Sequence, residues 1–139
     1  MRAMAAVIAM SAAAAPALSQ DMSAIDACAT AAFGTGGCSA EAAREALYNL
    51  YPGYVAPFHD AGMESFAMLT VLSILGDGIA NRLDGGDCVF NEELAGEATG
   101  IWTDYVRLPE GAAPDLATRV GVLDRFVTNA TAYILEGTC

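Results

Sequence analysis

The sequence predicts an all-α fold, a small disulfide-braced bundle of about five helices behind a cleaved secretion signal. Three observations lead there. Apolar residues recur at helical spacing along residues 20–139, and no stretch alternates apolar and polar residues for long enough to make a strand with one wet face. Clusters of Gly and Pro at 34–37, 52–53, 85–86 and 109–114 divide that pattern into helix-sized pieces. Of 139 residues, 55% are hydrophobic and 17% charged, which suits one packed domain over 20–139 and is too apolar for disorder.

The chain opens with Met1 and Arg2, an apolar Ala-rich run from Ala3 to Ala15, then Pro16 and Ala17-Leu18-Ser19. A positive end, a short apolar stretch and small residues ahead of Gln20 read as a signal peptide over 1–19. The mature protein is then expected in the periplasm or outside a bacterial cell, with a first helix over about 21–33. Met22, Ile25, Ala29 and Phe33 share one face of it, and Gly34-Thr35-Gly36-Gly37 stops it. Ser39 is the expected N-cap of the second helix, with Glu41 in its first turn; Ala43, Leu47, Leu50 and Tyr51 line up before Pro52-Gly53. A loop or short turn follows through Val55-Ala56-Pro57-Phe58-His59-Asp60.

The third helix, from about Ala61 to Leu83, is nearly all apolar between Phe66 and Leu75, which marks it as the central one. That run of about ten residues is short of the twenty or so that cross a bilayer, and no membrane span is expected. After the turn Asp84-Gly85-Gly86-Asp87-Cys88, the fourth helix is expected to start near Asn91. It buries Leu94, Ala98, Ile101, Trp102 and Tyr105 and shows Glu93, Glu97, Asp104 and Arg107 to water. Gly96 and Gly100 on its flank signal either a close helix crossing or plain tolerance of glycine. Pro114 and Asp115 open the last helix, with Leu116, Val120, Leu123, Val127, Ala130 and Ile134 on a stripe widened by Phe126 and Tyr133. Asn129-Ala130-Thr131 matches a glycosylation sequon but falls in mid-helix.

Four cysteines in an exported chain predict two disulfides. The expected pairs are Cys28–Cys38, across the Gly-rich turn, and Cys88–Cys139, which clamps the chain end and on the chain-entropy model is worth about 4 kcal/mol. There is no Cys-x-x-Cys and hence no redox motif.

Composition excludes much. There are 17 acidic residues against 6 basic ones, no Lys, and a formal charge of −11. Without lysine there is no Walker A loop, Schiff base or polybasic patch, and the charge repels nucleic acid. One histidine is too few for a typical zinc site, and no cofactor is expected. His59 with Asp60 and Glu64 is the one set that places an imidazole beside carboxylates, as a general base needs; with Met63 it would be a soft copper site. The alternative is a helix-start histidine with ordinary acids around it. Asp84, Asp87, Asn91, Glu92 and Glu93 supply hard oxygens near two glycines, as calcium requires, but without the spacing of an EF-hand loop. Tyr48, Tyr51, Tyr54, Phe58 and His59 gather around Pro52 and Pro57 as either a binding surface or the packing of a helix end.

A cysteine ahead of an amphipathic helix (Cys88), Tyr105 near its end, Pro109-Glu110 just after, and a last helix finishing at Cys139 cover the final third of the chain. In these features it resembles the small periplasmic immunity proteins that neutralise type VI secretion amidase effectors. Gly53-Tyr54-Val55 echoes their central motif, while Cys28 and Cys38 depart from their pattern. The resemblance implies a non-catalytic inhibitor that works through a protein interface. Together these readings predict a non-enzymatic exported protein that binds a protein partner. An acid-responsive periplasmic chaperone and a small hydrolase using His59 are the alternatives.

Overall fold

The structure, a computed structural model, describes residues 23–50 and 54–136. The expected signal peptide, Met22, Tyr51, Pro52-Gly53 and Cys139 lie outside them. Among the described residues the protein is all-helical, with α1 (residues 23–30), α2 (Ala40–Tyr48), α3 (Ala56–Asp60), α4 (Ser65–Leu83), α5 (Cys88–Tyr105) and α6 (Pro114–Glu136).

α4 is the hub. It packs most extensively on α5 and also touches α2, α6 and α3, and it puts Met68, Val71, Leu72, Leu75 and Ile79 into the core. By length and composition it is also long and apolar enough to cross a membrane, a profile that a central helix surrounded by neighbours shares. Its crossing with α6 is tight: a Cβ on Gly78 would lie 2.6 Å from Ile134 Cδ1. α6 buries Leu116, Leu123, Phe126, Val127, Ala130 and Ile134, the expected stripe, with Val120 and Tyr133 at its half-buried edges.

α1 is shorter than its periodicity predicts. The chain bends from Ala31 so that Cys38 can return to Cys28, and the two form a disulfide with 4.8 Å between Cα atoms. Gly34, at φ +82°, makes that reversal possible, and its N–H donates to the Cys38 carbonyl. Asn129 of the sequon then ties this end of α1 to α6, its Nδ2 donating to the carbonyl oxygens of Cys28 at 2.9 Å and Ala29 at 3.3 Å, so its amide is engaged inside the fold. Ser39 caps α2 as predicted, accepting from the Ala42 N–H at 3.2 Å. Cys88 is disulfide-bonded as well; Cys139, the partner that the sequence predicts for it, is outside the described residues.

Three further expectations need correction. The connection before α4 is helical over Ala56–Asp60, since Pro57 falls in the first turn of a helix, where its missing N–H costs nothing. α5 begins at Cys88 rather than Asn91, because Asp87 is the cap, its Oδ1 accepting from the Val89 N–H at 2.8 Å. At its far end the helix stops at Tyr105, which is 60% exposed instead of buried, and Arg107 lies beyond the last turn. Of the two readings of Gly96 and Gly100, plain tolerance holds: both face open space and no helix crosses there. Replacing either by Ala should therefore raise stability by about 0.5–1 kcal/mol through helix propensity alone, read as a higher urea midpoint. A lower midpoint would reveal a contact at that flank.

Candidate functional site

His59 sits exposed near the end of α3, with Nδ1 3.3 Å from Ser65 Oγ, the first residue of α4. A nucleophile–base pair needs a third group to orient the imidazole. Among the described residues no carboxylate contacts that ring: Asp60 and Glu64 are exposed beside it. The Ser65 contact instead closes the turn in which the Gly62 N–H donates to the His59 carbonyl and the Met63 N–H to that of Phe58. Met63, the copper candidate, is buried at 5% exposure and turned away from the solvent that His59 faces. His59→Ala should leave the unfolding free energy from urea titration within about 0.5 kcal/mol of wild type, as for a surface change. Loss of a hydrolytic activity on that substitution alone would return catalysis to His59.

The oxygen-rich turn does not converge on a cation. Asp87 is committed to capping α5, Asn91 points into the protein at 3% exposure, and Asp84, Glu92 and Glu93 face water. Among the described residues no group of three or more His, Cys, Asp or Glu is placed to hold a metal ion. What the turn builds is a clasp between helices. Asn81 Nδ2 of α4 donates to both the Asp87 carbonyl and Asn91 Oδ1, each at 2.9 Å. Gly86 lies directly beneath it, where a Cβ would fall 1.8 Å from Asn81 Oδ1. Two other polar ties fix α6: Trp102 Nε1 donates to Asp124 Oδ1 at 2.9 Å, and Arg82 donates to the Tyr133 carbonyl while lying 4.5 Å from that ring's centre.

The predicted aromatic surface divides. Tyr54 and Phe58, one turn apart and 6.4 Å between ring centres, are core residues at 8% and 0% exposure, while Tyr48 and His59 face solvent and Tyr51 is not described. Tyr54 and Phe58 both belong to the hydrophobic core, so packing takes them.

Tyr48 belongs to a different surface. With Leu47, Leu50, Leu69, Ser73 and Gly76 it lines a groove of about 320 Å³ between α2 and α4. The groove exists because α4 presents small residues to a larger neighbour: a Cβ on Gly76 would meet Leu47 Cβ at 3.4 Å and Tyr48 Cε1 at 3.6 Å. Phe66 stands one turn before Leu69 on the same stripe of α4 and is 80% exposed. Sequence reading passed over this stripe because Phe66 begins an apolar run that looks buried from end to end; its spacing to Leu69, Ser73 and Gly76 was the available signal. A larger hollow of about 490 Å³ lies between Pro57 and Ala61 and the 109–113 turn, and it gathers neither aromatic rings nor a nucleophile.

No protein-family model matches the chain, and neither curated proteins nor solved structures yield a match.

Proposed function

We propose that this protein is a non-enzymatic, exported helical domain that acts by binding another protein along the α2–α4 groove. The observation that carries the reading is Phe66, a large apolar side chain at 80% exposure continuing an apolar groove that Tyr48, Leu50 and Leu69 line. Single exposed apolar residues are ordinary on protein surfaces, whereas a ring that extends an open apolar groove is the form a buried interface anchor takes.

The Cys28–Cys38 disulfide fits an oxidising, exported environment. Residues 1–19 supply the signal peptide of that reading, with a mature N-terminus near Gln20, and N-terminal sequencing of the exported protein checks it. Immunity-type inhibition is the form of protein binding that the resemblance in the final third suggests. The clearest trigger for an acid-responsive chaperone is a carboxylate held in the core, whose protonation loosens packing. Every described Asp and Glu is exposed, which favours the binding reading.

Mature protein used as bait is expected to retain one stoichiometric partner from its own periplasm, and Phe66→Ser to reduce that capture about tenfold with an unchanged melting curve. Undiminished capture by the variant, or recovery of a broad set of unfolded proteins, would overturn the proposal.

A further inference from the structure

We infer that the occupant of the α2–α4 groove is a cationic amphipathic helix of the partner, an inference that rests on the protein-binding reading and gives it a chemistry.

The shape sets the length of the occupant. From Phe66 to Gly76 the stripe runs about 15 Å along α4, close to three helical turns, which is what a partner helix spans with apolar anchors at i, i+3 or i+4, i+7, and i+10 or i+11. Ser73 and Gly76 keep the floor low enough for close approach, while Phe66 and Tyr48 stand up at the edges as the rings such anchors pack against.

Charge sets its sign. Glu45 lies one turn before Tyr48, Asp77 one turn after Ser73, and Glu64 immediately before α4; all three are exposed, as is Glu41 further back on α2. Arg44, half-buried, is the one cation of α2, and Arg82 of α4 is taken up by the Tyr133 carbonyl and by Glu136, 3.8 Å away. A rim of this sign, on a chain of formal charge −11 without a single lysine, repels a second copy of itself and anionic lipid or nucleic-acid surfaces alike. Basic side chains flanking an apolar stripe are its complement, and they speed encounter as well as hold the bound state.

Two synthetic peptides of about 14 residues test this, one with Leu at heptad positions and Lys elsewhere, the other with Glu in place of Lys. Titrated into isotope-labelled mature protein, the Leu/Lys peptide should shift amide signals within residues 45–50 and 66–77. Its affinity should fall several-fold between about 50 and 500 mM salt, and the Leu/Glu peptide should bind about tenfold more weakly. Neutralising the rim as Glu45→Gln, Glu64→Gln and Asp77→Asn together should weaken the Leu/Lys peptide about fivefold and flatten its salt dependence. The same exchange at Glu93 and Glu97 on α5 should change neither.

If the α5 exchange matches the rim exchange, or the shifts spread along α5, binding reflects total charge and the groove assignment falls. If Phe66→Ser abolishes peptide binding while the rim exchange does nothing, the cationic partner is wrong and the protein-binding reading stands. If neither peptide binds, the inference is overturned whatever the pull-down gives. Phe66-independent capture of the natural partner is the separate result that removes the underlying reading.

Discussion

Truncation of Phe126 to Ala is expected to remove about 3–5 kcal/mol of folding stability, the range for a fully buried ring whose surroundings cannot close over the gap. Phe126 has no exposed surface and lies 5.8 Å from Phe33, centre to centre, at a 49° tilt. Phe33 in turn stacks on Tyr133 at 5.3 Å, and the guanidinium of Arg82 caps that ring. One side chain on α6 thus supports the segment that follows α1 and, through the aromatic layer, the α4–α6 contact. Collapse into the void is resisted because Phe33 sits within the short loop closed by the Cys28–Cys38 bond and Tyr133 is fixed by its carbonyl bond to Arg82. A domain of this size holds roughly 5–15 kcal/mol in total, so the variant should be close to unfolding at growth temperature. Urea titration should show a large fall in midpoint at constant slope. A loss under about 1.5 kcal/mol would mean that Phe33 and Tyr133 do move into the space.

The helices were legible wherever local signals act without a distant partner. Ser39 and Pro114 mark their helix starts by chemistry confined to one turn, and the stripe of α6, with Ala43 and Leu47 of α2, follows from spacing alone. Errors arose where a residue's role depends on a neighbour from elsewhere in the chain. Asn91 reads in sequence as the start of a helix and a calcium candidate, but it is buried, where Asn81, on another helix, supplies its partner. Tyr54 and Phe58 read as either surface or core in sequence, and the core assembled from the other helices takes them both. Phe66 is the reverse case: it heads the most apolar run in the chain and is the most exposed of its large hydrophobic residues in the described structure. A periodic pattern tells which residues share a face, and only the lengths and positions of the neighbouring helices decide which faces are covered. Here Phe66, in the first turn of α4, stays exposed, while Leu69, one turn on, is half-buried and lines the groove with Leu47 and Leu50.

Loss of the Cys28–Cys38 bond is expected to cost about 3 kcal/mol on the chain-entropy model, tested with Cys28→Ala and Cys38→Ala combined. Alanine is the better replacement because both sulfurs are buried, at 1% and 2% exposure, and serine would leave two hydroxyls short of water. The bond closes a short loop, with a sequence separation of 10, whose interior is already ordered: the Cys38 N–H donates to the Thr35 carbonyl, and Thr35 Oγ1 to that of Ala32. Opening should therefore begin locally, with faster amide exchange through residues 23–38 before α4 or α6 responds, because this segment then keeps only non-covalent ties to the bundle, the packing of Ile25, Ala29 and Phe33 and the Asn129 side-chain hydrogen bonds to the end of α1 among them. Arginine placement makes the pairing readable by trypsin after unfolding without reduction. Cys28 and Cys38 share the peptide ending at Arg44, Cys88 lies in 83–107, and Cys139 in 126–139. The expected map is one internally bridged peptide and one link between 83–107 and 126–139. A link from the peptide ending at Arg44 to 83–107 would mean that the cysteines exchange partners in solution. The stability loss would then belong to a larger loop closed across the bundle, and the double substitution should cost more and loosen α5 together with α1.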